Sequence, residues 1–248
     1  MENTEFNQHA ADYAKFRPIY PIEIFEFLKQ VSPSNDLAYD VGTGNGQCAV
    51  TLADYFCNVL ASDLSKEQIA NSVPKKNVRY FVSEAHESNI QAESVDLITV
   101  ATAIHWFNFD KFYSESKRIL KKEGVIAVWS YGWHECENQQ ISNMIQKIGK
   151  EILKDFWSPQ PKLIWDEYKT IPFPFVEMNH PKFNQTLYWD RNEFIGYLTT
   201  WSATQKYIQA KEEHPVKSIY TELTEIWKDP QSKLKFNGPI YMRLGRNL

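Results

Sequence analysis

"AYDVGTGNGQ", residues 38 to 47, constrains the fold of this chain more than any other stretch. Gly42, Gly44 and Gly46 alternate with other residues just behind Asp40, and they are one third of the nine glycines in the sequence. "LAYDV" ahead of them reads as a short apolar strand. "GQCAVTLADYF" reads as a helix with Ala49, Leu52, Ala53 and Phe56 on one face. Glycines at a strand-to-helix turn permit a left-handed backbone and let a ligand lie against bare main chain. The helix beyond offers free N–H groups and partial positive charge. In open parallel sheets, ligands sit beyond the carboxyl ends of the strands at such a turn. The dinucleotide fingerprint wants Gly or Ala where Gln47 stands, and the phosphate loop ending in Gly-Lys-Ser/Thr is absent. The carboxylate of Asp40 would repel a pyrophosphate but suits an ammonium. A glycine turn with a purely structural purpose stays open at this point.

The surrounding pattern repeats the strand–helix alternation. "PIEIFEFLKQV" predicts a helix with Pro21 in its first turn. "NVLAS", "NVRYFV", "SVDLITVA" and "VIAVWS" predict four more strands after "LAYDV". Between them "SKEQIANSV" and "NFDKFYSESKRIL" predict helices, the first with Ser65 and Gln68 at capping-box spacing. Five strands with such crossovers predict an α/β fold, a parallel sheet covered on both faces. After about residue 131 the alternation stops. "ENQQISNMIQKIGKEILKDFW", "RNEFIGYLTTWSA" and "PVKSIYTELTEIW" predict helices, "NQTLYW" and "GPIYMRLGRN" strands, with a proline-rich segment from Pro159 to Pro181.

Composition narrows the function. Hydrophobic residues are 43 % of 248 and charged residues 23 %, ordinary for a globular protein with a sizeable core. A net charge of −4 gives no broad phosphate-binding face, so no nucleic-acid partner is expected. Aromatic residues reach 15 %, many after residue 129, either as a core of large rings or as an aromatic-walled pocket for an organic ligand. Cys48, Cys57 and Cys136 are odd in number and lack metal-ligand spacing, so no metal is expected and a reducing compartment is. The first residues lack the apolar run of a secretory signal, and no stretch is apolar enough to span a bilayer. The expectation is a cytoplasmic protein without membrane partners, a monomer or homodimer.

An acid, one residue, then Gly42, Gly44 and Gly46 resembles the first motif of class I S-adenosylmethionine-dependent methyltransferases. The resemblance implies a Rossmann-like, doubly wound, mostly parallel seven-stranded sheet with helices on both faces. A partly helical cap would be inserted after the fifth strand. It divides the chain into an N-terminal helical lid (1–36), a cofactor-binding core (37–131), a substrate cap (132–231) and a terminal strand (232–248). Asp40, Gly42, Gly44 and Gly46 would hold the amino-acid end of the cofactor. Asp63, ending "NVLASD", would accept the ribose hydroxyls, with Leu64 on the adenine. Glu84 and Ala85 of "SEAH" would face the adenine edge, and Ala101 would complete the cofactor site.

"HWF" at 105 to 107 and "YAKFRPIYP" at 13 to 21 resemble the small-molecule subgroup that includes trans-aconitate methyltransferase. Members often carry Gln where this chain has Thr102. That resemblance implies Tyr13 or Tyr20 on the sulfonium and Arg17 as a fork for an acceptor carboxylate. His105 becomes the first candidate for a base or a cofactor contact, and His134 a second. Tyr20 and Arg17 join His105 as candidate catalytic residues. Trp106, Trp133, Trp201 and Ser202 would line the acceptor side. The expected function is methyl transfer from S-adenosylmethionine to a small molecule, with O-methylation of a small organic acid favoured. N- or C-methylation, a non-catalytic binder of the same fold and a nicotinamide-dependent oxidoreductase are the alternatives.

Overall fold

The computed structural model describes Phe16 and residues 18–248. Tyr13 and Arg17 lie outside the described residues. The elements that position the site are α1 (Ile22–Val31), β1 (Leu37–Val41), α2 (Gln47–Leu52), β2 (Asn58–Asp63), α3 (Lys66–Ala70), β3 (Val78–Val82), β4 (Val95–Ala101), α4 (Phe109–Ile119) and β5 (Leu120–Tyr131). The cap and return comprise β6 (Glu135–Cys136), α5 (Gln139–Gln146), α6 (Lys162–Trp165), β7 (Val176–Glu177), β8 (Phe183–Trp189), α7 (Arg191–Thr199), α8 (Ser202–Lys211), α9 (Tyr220–Ile226) and β9 (Leu234–Arg246).

Strands β1 to β5 are parallel in the order β3-β2-β1-β4-β5, and β9 pairs antiparallel with β5. The chain reverses its direction of travel across the sheet between β1 and β4, and ligands bind at that point in open α/β sheets. Seven strands were expected and nine are described, because two are two-residue additions to the long β9. Strand β6 continues the edge of β9 that pairs with β5, while β7 and β8 share its other edge. Across its width the sheet therefore has seven positions.

Period-two alternation sends successive side chains to opposite faces. From β5, Val125, Ala127 and Trp129 enter one core, and Ile126 and Val128 enter the other. Strand β4 is buried along nearly its whole length, as a strand covered on both faces must be. Helix α1 buries Ile24, Phe25 and Leu28, with Phe25 edge-on to Trp129 at 6.3 Å. Helix α1 thus covers part of the core.

The long helix expected from "ENQQISNMIQKIGKEILKDFW" is α-helical only through α5 and widens to a π-helix over Lys147–Ile152. A Cβ on Gly149 would fall 2.3 Å from the Trp133 ring, and the Trp157 indole N–H bonds the Gly149 carbonyl at 2.8 Å. The tryptophans press on the helix there. The helix expected from "RNEFIGYLTTWSA" breaks at Thr200 and Trp201 into α7 and α8. The one expected from "PVKSIYTELTEIW" divides into a 3-10 turn and α9.

Candidate active site

The turn after β1 is built from left-handed backbone: φ is 68° at Gly42, 57° at Gly44 and 91° at Gly46. The three glycines answer to different neighbours. A Cβ on Gly42 would lie 2.7 Å from the Ala103 Cβ, and one on Gly46 would lie 2.3 Å from the Tyr80 hydroxyl. On Gly44 the nearest atom would be Gln68 Oε1 at 3.9 Å. Two of the glycines admit protein, and Gly44 offers its backbone to open space.

That space is a cavity of about 830 Å³. It lies beyond the carboxyl ends of β1, β2 and β4, at the sheet's reversal point. Of the residues expected to hold the cofactor, Asp40, Gly42, Gly44, Asp63, Leu64, Glu84, Ala85 and Ala101 line it. Gly46 does not, because its Cα face is filled by Tyr80. Tyr20 and Trp106 line it as well.

Asp40 is fully buried. Its two carboxylate oxygens accept hydrogen bonds from the hydroxyls of Thr43 at 2.5 Å and Thr99 at 2.7 Å. Burial pushes its pKa up, and the two hydroxyl bonds oppose that shift. Asp63 accepts the Gly44 N–H at 2.8 Å and the Ser65 N–H at 2.9 Å. Burial raises its pKa too, against the pull of these backbone donors. One carboxylate therefore braces the glycine turn and the start of α3 together. Glu84 Oε2 lies 3.2 Å from His86 Nε2, so the acid expected at the adenine edge already has a partner.

His105 departs from expectation. It does not line this cavity, and only 6 % of it is exposed. The 3-10 turn Ile104–Trp106 turns it inward, where Nδ1 hydrogen-bonds the Tyr168 hydroxyl at 3.0 Å. His134 is a core residue. Its ring nitrogens bond Gln185 Oε1 at 2.8 Å and the Tyr197 hydroxyl at 3.2 Å. Trp133, Trp201 and Ser202 do not line the cavity either. Trp133 and Trp201 pack with Trp157 and Trp165, with ring centroids 5.1 to 6.0 Å apart. Phe16 bears on α7, where a Cβ on Gly196 would be 2.6 Å from its ring.

Two further cavity residues, Gln68 and Thr102, carry features that the sequence did not show. Gln68 is 4 % exposed and its Oε1 is buried with no partner among the described residues. Capping-box spacing had marked it only as a helix-start residue, and indeed Ser65 accepts its N–H. Thr102 holds φ 55°, a left-handed conformation uncommon for a β-branched residue. Its hydroxyl lies 2.7 Å from that of Tyr20.

Residues 39–128 match the family model of a methyltransferase domain. A Dictyostelium discoideum protein named as a candidate methyltransferase is 36 % identical over 248 residues, covering 98 % of this chain and 94 % of that protein. The chain belongs to the class I S-adenosylmethionine-dependent methyltransferases. Among solved structures, a candidate type II methyltransferase from Anaeromyxobacter dehalogenans shares 32 % identity at a TM-score of 0.88, over 94 % of this chain and 99 % of that one. The candidate S-adenosylmethionine-dependent methyltransferase CRG1 of Saccharomyces cerevisiae is 30 % identical over 134 residues, half of this chain and 46 % of that protein. Like the rest of its family, this methyltransferase takes S-adenosylmethionine as its cofactor. The site fits such a group: bare backbone at Gly44 faces the cavity, and the unpartnered Gln68 oxygen waits beside it. No helix among the described residues is long and apolar enough to cross a membrane.

Proposed function

We propose that this methyltransferase methylates an oxygen atom of a small organic acid. In this reading Asp40 and the Gly44 backbone hold the amino-acid end of S-adenosylmethionine, and Asp63 takes the ribose hydroxyls. Leu64 and Ala85 flank the adenine, with Glu84 at its amino group. When bound, the cofactor supplies a methyl group already activated for displacement. The chain's own residues have to align the acceptor and keep water out.

The observation that carries the acceptor class is the position of Tyr20 on the cavity wall. Arg17, three residues earlier in the sequence, is the group proposed to grip an acceptor carboxylate as a fork. The likeness of "YAKFRPIYP" and "HWF" to the trans-aconitate subgroup supports the same class.

Incubation with S-adenosylmethionine and a panel of small acids, alcohols and amines, followed by adenosylhomocysteine release, tests the reading. Turnover of acids is expected, with Arg17→Ala raising the acceptor KM and sparing the cofactor KM. Silence across the panel despite cofactor binding would instead mark a non-catalytic binder, and turnover of amines alone an N-methyltransferase.

A further inference from the structure

Strand β8 carries an amide in an apolar row. Phe183, Gln185 and Trp189 are buried, with Leu187 half-buried between them, while the alternate residues are exposed. Both ends of the Gln185 side chain are used. Nε2 donates to the Ile19 carbonyl at 2.7 Å, and Oε1 lies 2.8 Å from His134 Nε2. The Ile19 carbonyl can only accept, which fixes the direction of the amide and leaves Oε1 to accept the His134 Nε2–H. His134 Nδ1 in turn meets the Tyr197 hydroxyl at 3.2 Å. A chain of hydrogen bonds therefore runs from α7, through the loop after β5 and through β8, to the backbone just ahead of α1.

Other residues make room for this chain. Gln185 is paired with Gly238 of β9, where a Cβ would lie 2.7 Å from the His134 ring. Tyr131, Tyr197 and Trp189 enclose the imidazole at centroid distances of 5.4 to 5.5 Å. An apolar residue at 185 would continue the row without the desolvation cost of an amide. Breaches of a sequence's own pattern are expected at functional sites. The chain of bonds ends beside the cavity. Neither Gln185 nor His134 lines it, but Tyr20, the residue after Ile19, does. The Tyr20 hydroxyl lies 2.7 Å from Thr102 Oγ1, and its ring is edge-on to Trp129 at 5.6 Å. The Ile19 side chain is 68 % exposed and gives the stretch no apolar anchor. Pro18 is buried and packs the segment down, and the bond from Gln185 adds direction.

We propose that Gln185, oriented by His134, is a positioning residue for the cofactor: it pins the Ile19 carbonyl and so holds Tyr20 on the cavity wall. This rests on the reading of that cavity as the cofactor site. Gln185 touches no ligand and acts through the backbone of Ile19 and the side chain of Tyr20. His134, a candidate base from the sequence, serves here through an Nε2–H committed to Gln185. The segment ahead of α1 is thereby tied to β8, more than 160 residues later in the chain. Because coupling between sites is reciprocal, a cofactor that needs Tyr20 in place must in turn strengthen the bond at Ile19.

Calorimetric titration of the full chain with adenosylhomocysteine, well below the Tm of each variant, tests the proposal. Gln185→Met keeps the length and volume of the side chain and removes both bonds. Gln185→Glu keeps an acceptor for His134 and loses only the donor to Ile19, so it guards against a failure of the first variant to fold. Each should weaken adenosylhomocysteine by about fivefold or more, the scale of one hydrogen bond. In a Tyr20→Ala background the same changes should cost less than about twofold, because the path ends at Tyr20. In the wild type, bound adenosylhomocysteine should slow exchange of the Gln185 side-chain amide protons. Variants that lose Tm but bind as the wild type does would overturn the proposal and leave Gln185 a structural residue. Equal losses with and without Tyr20, or amide exchange unchanged by ligand, would overturn it too. Failure of the wild type itself to bind would sink the cofactor reading of the cavity, and this inference with it.

Discussion

At the scale of residues, the glycine turn separates roles that one motif lumps together. Gly44→Ala puts a methyl into open cavity on a left-handed backbone, so cofactor affinity should fall at least tenfold with a modest loss of stability. Gly46→Ala drives a methyl into Tyr80 and should chiefly lower Tm. Calorimetry and a melting curve on each variant distinguish the two. Asp63→Asn should weaken the cofactor while the fold survives; unchanged affinity would remove Asp63 from the ribose. Asp40 gives a sharper contrast. Because burial raises its pKa in the folded state, its ionised form at neutral pH opposes folding, and that cost vanishes as pH falls through the carboxylate range. Asp40→Asn can keep bonds to Thr43 and Thr99, so at pH 7 it should raise Tm by about 2–4 °C per kcal/mol recovered. Its gain should disappear in acid, and its cofactor affinity should drop. A fall in Tm at pH 7 would contradict this.

Elements explain what could be read in advance. Strands β1 to β5 and the helices between them were legible because apolar periodicity and the glycine turn agreed at each step. Asp63 and Ala101 end strands that could be counted and Glu84 follows one by two residues, which is why all three could be expected on the cavity wall. His105 could not, because "HWF" carries no sign of which ring turns inward; the 3-10 turn decides that. Trp133 was equally opaque, since its partners come from 149, 157, 165 and 201. The π-helix over Lys147–Ile152 has the same origin, a tertiary contact overriding a good helical pattern. Gly149→Ala should therefore destabilise the fold by about 1–3 kcal/mol, through the clash with Trp133 rather than through helix propensity. An exposed glycine in a helix would gain stability on becoming alanine, so a rise in Tm would contradict the account.

At the scale of the molecule, one sheet gathers the machinery. Loops after β1, β2, β3 and β4 converge on the cavity, and β5 brings Ser130 behind it. The last strand, β9, inserts beside β5 and carries β8 on its far edge, so the segment between β5 and β9 is anchored to the sheet at both ends. Everything depends on that cavity accepting S-adenosylmethionine with its amino-acid end on the Gly44 backbone. Isothermal titration of the purified chain with adenosylhomocysteine, adenosylmethionine and NADH tests this most directly. One equivalent of either sulfur compound should bind, weakened by Asp63→Asn and Gly44→Ala, with no heat from NADH. Absence of binding by both sulfur compounds, or tight binding of NADH alone, would contradict it.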